Sequence, residues 1–206
     1  GVEIVDRKYF FANFQLLDAC PGRLEDYLDE RQLSLFSSLS SPARVQAFLD
    51  ATPYAAEDAN RSPLRVMQDR LAHCLDGALV AAAALRRLGH PPVVVDLIPE
   101  PGTDDDHVLA IYRRGRYYGA VAKSNFAGLR FREPVYRTLR ELAMSYFEVY
   151  FNVNGEKTLR AYSVPLDLST LDHACWEWQD EGADELERRL CRLRRTPLIT
   201  PDMAAA

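Results

Sequence analysis

Cys74 stands in the stretch AHCLDGALVAAAALRRLGHPP, residues 72–92, where a helical pattern begins. From Leu75 the apolar positions fall at 75, 78, 79, 82, 85 and 88. That spacing predicts one continuous apolar stripe on a helix whose first turn carries the thiol. Amides at a helix start lack intrahelical partners and the helix dipole is positive there. Both favour a thiolate over a thiol, and the same amides can hold an oxyanion. A base is then needed. His107 opens HVLAIYRR after an acidic loop, so its ring belongs at a strand end facing the helix start. A Cys74 thiolate beside a His107 imidazolium would be reactive at neutral pH. The plainer reading is that a free cysteine is usually buried and inert, with His107 satisfied by the acidic loop. The two residues together favour the nucleophile.

The surrounding elements must bring the pair together. The aromatic-rich start, up to Cys20, is expected to pack on the body. Residues 22–39 and 41–51 read as helices, the second capped by Ser41 with Pro42 at its first position. Residues 52–63 are loop-like, and 64–72 form a helical turn or two leading to Cys74. Gly89, Pro91 and Pro92 end the Cys74 helix. VVVDLI (93–98), HVLAIYRR (107–114) and RYYGAVA (116–122) read as strands, the last two joined by a turn at Gly115. Residues 137–151 read as a helix with its stripe at 139, 142, 143, 146, 147 and 150. Residues 157–164 suggest a strand, and 183–195 a terminal helix. Arginine-bearing 131–141 reads as the exposed start of a helix. Helices followed by antiparallel strands indicate an α+β fold. We expect one domain over 1–206: a helical part (1–63), a core (64–165) and a C-terminal helical extension (166–206).

Cys74, then Gly89 in LRRLGHPPVVV, then a strand, then His107 opening HVLAIYRRGRYY, resembles the core of the transglutaminase-like superfamily, a branch of the papain-like cysteine fold. The resemblance covers about 64–126 and rests mostly on spacing. It implies a Cys-bearing central helix on a small antiparallel sheet. It also implies a histidine and a third polar residue on neighbouring strands. The family has an aspartate late on the strand after the histidine, whereas YYGAVAKSNF puts alanine or valine there. By analogy with Cys–His–Asn relatives, Asn125 is the first choice for orienting His107, and Ser124 the second. Gln68, six positions before Cys74, matches the place of an oxyanion-hole glutamine, although a solvent-facing helix residue is the plainer reading. Asp76 complements the dipole but opposes a thiolate. The implied chemistry is attack by Cys74 on an amide of a peptide or protein, with a thioester resolved by water (peptidase or amidase) or by an amine (transamidation). The alternative is an inactive relative that binds a peptide or protein. An N-acyltransferase is a third reading.

The remaining composition narrows the classes. A net charge of −5 argues against general nucleic-acid binding. The basic clusters at 130–140 and 188–195 read as solvated helix faces. No apolar run is long enough to cross a membrane. Cys20, Cys74, Cys175 and Cys191 show no C-x-x-C pair and read as free thiols in a bacterial-type reducing cytoplasm. His173 and Cys175 read as local packing. His73, Cys74, Asp106 and His107 have no recognised metal-ligand spacing. No cofactor is expected.

Overall fold

The computed structural model describes residues 20, 22–57 and 59–204. The aromatic-rich start, ahead of Cys20, lies outside them. Among the described residues four α-helices precede the sheet: α1 (Glu30–Ser38), α2 (Pro42–Ala51), α3 (Pro63–Asp69) and α4 (Cys74–Arg87). Each start is set by its sequence. Asp29 caps α1 with Gln32 in a reciprocal box, and Ser41 and Ser62 cap α2 and α3, each followed by proline. The helix expected over 22–39 is instead a short 3₁₀ turn, Leu24–Tyr27, followed by α1. Gly89 follows α4 at φ +87°, a conformation glycine adopts without penalty.

Seven strands then form one antiparallel sheet: β1 (Val93–Pro99), β2 (His107–Arg114), β3 (Tyr117–Val121), β4 (Arg132–Tyr136), β5 (Leu159–Ser163), β6 (Leu166–Asp167) and β7 (Arg195–Pro197). The order is β4-β3-β2-β1-β5-β7, with β6 paired to β1. Three more helices, α5 (Leu139–Met144), α6 (Asp180–Leu190) and α7 (Pro201–Ala204), are found among the described residues. This is an α+β architecture with a small antiparallel sheet and several helices.

Strand alternation divides the core into two faces. Val94, Val108, Ala110, Tyr112 and Val121 meet α4 and the helices around it. Val95, Leu97, Leu109, Ile111 and Ala120 meet Leu142, Tyr146 and Tyr150. Helix α4 is buried from Leu75 through Leu85, so its alanines face neighbours on every side.

Three expected elements differ. Arg132–Tyr136, within the stretch read as the start of a helix, form edge strand β4. Helix α5 ends at Met144, and the chain continues through a 3₁₀ turn, Phe147–Val149. Helix α6 stops at Leu190, which frees Arg195–Pro197 to pair with β5.

The expectation of four free thiols is corrected. Cys20 and Cys175 form a disulfide with Cα atoms 5.5 Å apart, leaving Cys74 and Cys191 free. The argument from free thiols to a reducing compartment therefore falls away. Among the described residues no helix is long and apolar enough to cross a membrane.

Gly77 fixes how closely the segment after β3 approaches the first turn of α4. A Cβ there would collide with Cβ of buried Lys123. Lys123 is itself held, its Nζ donating to the carbonyls of Leu49 and Thr52 at the end of α2. Gly77→Ala is expected to cost about 3 kcal/mol, because neither partner has room to yield. A urea denaturation midpoint equal to that of the parent would refute this.

Candidate active site

His73 is the N-cap of α4. Its Nδ1 accepts the Leu75 amide at 3.2 Å, and its Nε2 lies 3.2 Å from Asp76 Oδ1. The fully buried Asp76 accepts the amides of His73 (3.1 Å) and Arg61 (2.7 Å). Asp76 is thus spent on fastening the preceding loop to the helix start.

This cap delivers Cys74 to the end of β2. Its Sγ lies 4.0 Å from the Asp106 carbonyl, and the amides of Val108 and Leu75 approach the sulfur. The Tyr54 hydroxyl also interacts with the Cys74 main chain and thiol; burial first, then Cys74, pushes that phenol up to about 12. Cys74, His107, Tyr54, Ser124, Leu129, Tyr150 and Cys191 all line one cavity of about 620 Å³.

His107 is buried at the first position of β2. Alternation sets its side chain on the face of Leu109 and Ile111, away from the body of α4. The cavity reaches both residues because it lies at the sheet end where β2 and α4 begin. His107 Nε2 is 2.7 Å from the Leu129 carbonyl. A carbonyl only accepts, so Nε2 carries the proton, and in the neutral ring Nδ1 is the free acceptor. The loop supplying Leu129 is firmly held. Arg130 donates to the Ser124 carbonyl, Tyr146 donates to the Arg130 carbonyl, and Arg132 donates to Gly128 and Ser145 while stacking 3.9 Å from the Tyr146 ring.

The resting charges differ from the expected ion pair. Burial, then Asp106, pushes the Cys74 thiol up to about 12 against the Val108 and Leu75 amides. Burial also lowers His107 to about 4, the Leu129 carbonyl opposing and Arg132 assisting. The pair at rest is therefore neutral thiol and neutral imidazole.

The other residues named from sequence fall as follows. Ser124 is buried and lines the cavity, but its hydroxyl accepts the Phe126 amide. Asn125 is exposed and does not line the cavity. Gln68 is exposed on α3 and is likewise outside it. The anchor of His107 is a main-chain carbonyl, which no residue type signals. His73, Cys74, Asp106 and His107 form no metal-binding group, and no cluster of three or more candidate ligands exists among the described residues.

Asp96 was not singled out from sequence. It shares the α4 face with Val94, is 4% exposed, and has Oδ1 without a hydrogen-bond partner among the described residues. Burial, then Asp106, raises it to about 8, with Arg195 and the His107 amide opposing. Its folded pKa lies above the unfolded value. The stability this allows is complete below about pH 4 and is lost as pH rises through about 8. Asp96→Asn should therefore melt progressively higher than the parent as pH rises from about 6 to 9. A constant difference in Tm across that range would refute the burial argument.

No family model matches the chain, and no curated protein matches it.

Proposed function

We propose that this chain is a thiol-dependent acyl enzyme with a papain-like core of the transglutaminase-like kind, acting on an amide of a peptide or protein. The supporting observation is that Cys74 and His107 both line one cavity, with Nε2 of the histidine fixed by Leu129. Because the thiol is neutral at rest, proton transfer accompanies attack. His107 Nδ1 takes the Cys74 proton as Sγ bonds to the carbonyl carbon. The developing oxyanion draws on the Cys74 amide, since His73 occupies those of Leu75 and Gly77, and on the Tyr54 hydroxyl that meets the Cys74 main chain. Collapse expels the amine, which takes the proton back from His107, and leaves a thioester on Cys74. Water or a second amine then releases the acyl group. The test is incubation with p-nitrophenyl acetate followed by peptide mapping. Acetylation at Cys74, absent in Cys74→Ala, supports the reading; acetylation elsewhere alone overturns it.

A second reading has its own support. A thiol near 12 beside a histidine near 4 also suits a binding module that has kept the cleft without the reaction. It predicts no acyl-enzyme with any activated ester.

A further inference from the structure

We infer that the cavity at Cys74 takes a cationic peptide, with a lysine or arginine side chain seated beside the amide that Cys74 meets. This rests on the proposed function for the identity of the site and adds the chemical class of its ligand. Five carboxylates line the cavity: Glu57, Asp104, Asp105, Asp106 and Glu187. No lysine or arginine lines it among the described residues. Some of this charge is spent internally. Glu57 pairs with Arg61, Asp104 accepts the Thr158 hydroxyl, Glu187 accepts Asn60, and Arg195 acts on Asp106 from outside the lining. The Asp105 carboxylate makes no hydrogen bond or ion pair among the described residues. Asp105 and Glu187 crowd Asp106, whose acid is raised by burial first and then by those two, with Arg195 opposing. A positive group entering here would relieve that repulsion.

The second, independent feature is aromatic. Phe126 (52% exposed) and Phe151 (43% exposed) both line the cavity and meet edge to face, with centroids 6.4 Å apart. Tyr54 and Tyr150 line it as well. Large exposed rings lining the same cavity as the bare Asp105 carboxylate suit a charged head on an apolar stem, which lysine and arginine carry. A free inorganic cation would use the carboxylates but not the rings. The Tyr150 hydroxyl donates to the Asp105 carbonyl at 2.7 Å, fixing the acidic loop against the aromatic side.

The experiment is isothermal titration of Cys74→Ser with acetyl-lysyl-glutamine amide, its norleucine and glutamate counterparts, and spermidine. The lysine peptide is expected to bind about tenfold tighter than the norleucine peptide. That advantage should shrink in about 0.5 M sodium chloride and vanish in Asp105→Asn combined with Glu187→Gln. Equal binding of the norleucine or glutamate peptide, or no peptide binding, overturns the inference. Spermidine binding tighter than the lysine peptide also overturns it, in favour of a free polyamine. The variant lacks the thiol, so these outcomes do not depend on acyl chemistry. Loss of Cys74 acetylation with the lysine preference intact would remove the reaction and leave the ligand class standing.

Discussion

His107→Ala is expected to slow acylation of Cys74 by about 10²–10⁴-fold, read from the p-nitrophenolate burst in stopped flow. The size follows from the resting state of the thiol. With Cys74 pushed up to about 12, the thiol is protonated at neutral pH, so attack needs a base that acts during the step. The Leu129 carbonyl holds Nε2–H and so fixes the ring in the tautomer with a basic Nδ1. A ring lowered to about 4 is unprotonated across the physiological range, so its Nδ1 lone pair is open. Added imidazole should restore part of the lost rate in the alanine variant. An unchanged burst would show that His107 takes no part.

Reduction of the Cys20–Cys175 disulfide is expected to lower stability by about 4 kcal/mol. The two cysteines are 155 positions apart, so the bond closes a very long loop and removes much freedom from the unfolded chain. The local structure also depends on it. Cys175 sits in the left-handed region at φ 54°, and the chain on either side carries Asp172 and Glu177 to Arg86 on α4. The check is the urea midpoint with and without dithiothreitol, with Cys20→Ser as the chemical control. Equal midpoints would mean that the bond does not constrain the fold in solution.

The parts of the fold that could be read in advance are those whose signals are local. Ser41 with Pro42 starts α2, Gly89 ends α4, and Gly115 turns β2 into β3. The parts that could not be read depend on distant partners. The apolar stripe through Tyr146 and Tyr150 has helical spacing, yet α5 ends early. Beyond it, the Tyr146 hydroxyl reaches the Arg130 carbonyl and the Tyr150 hydroxyl reaches those of Leu97 and Asp105. Tertiary bonds there outweigh propensity. Strand β4 contains Pro134 and charged residues, an edge pattern easily taken for the start of a helix. The disulfide joins two cysteines whose spacing carries no signature. The candidate site divides the same way. Cys74 and His107 stand out by residue type and place. The Leu129 carbonyl has no side-chain signal, Asp96 is hidden inside a β-branched run, and Tyr54 lies in a loop far from β2 in sequence.

The central claim is that Cys74 and His107 work together from a neutral resting state. Its most direct test is the rate of Cys74 alkylation by iodoacetamide from about pH 5 to 10, with the site located by mass spectrometry and His107→Ala run alongside. The account predicts a slow rate at neutral pH that climbs with pH without reaching a plateau, and a further drop at neutral pH in the alanine variant. A plateau below pH 7 would contradict the neutral pair and show a resting thiolate–imidazolium. Superimposable profiles for the two proteins would contradict the partnership itself.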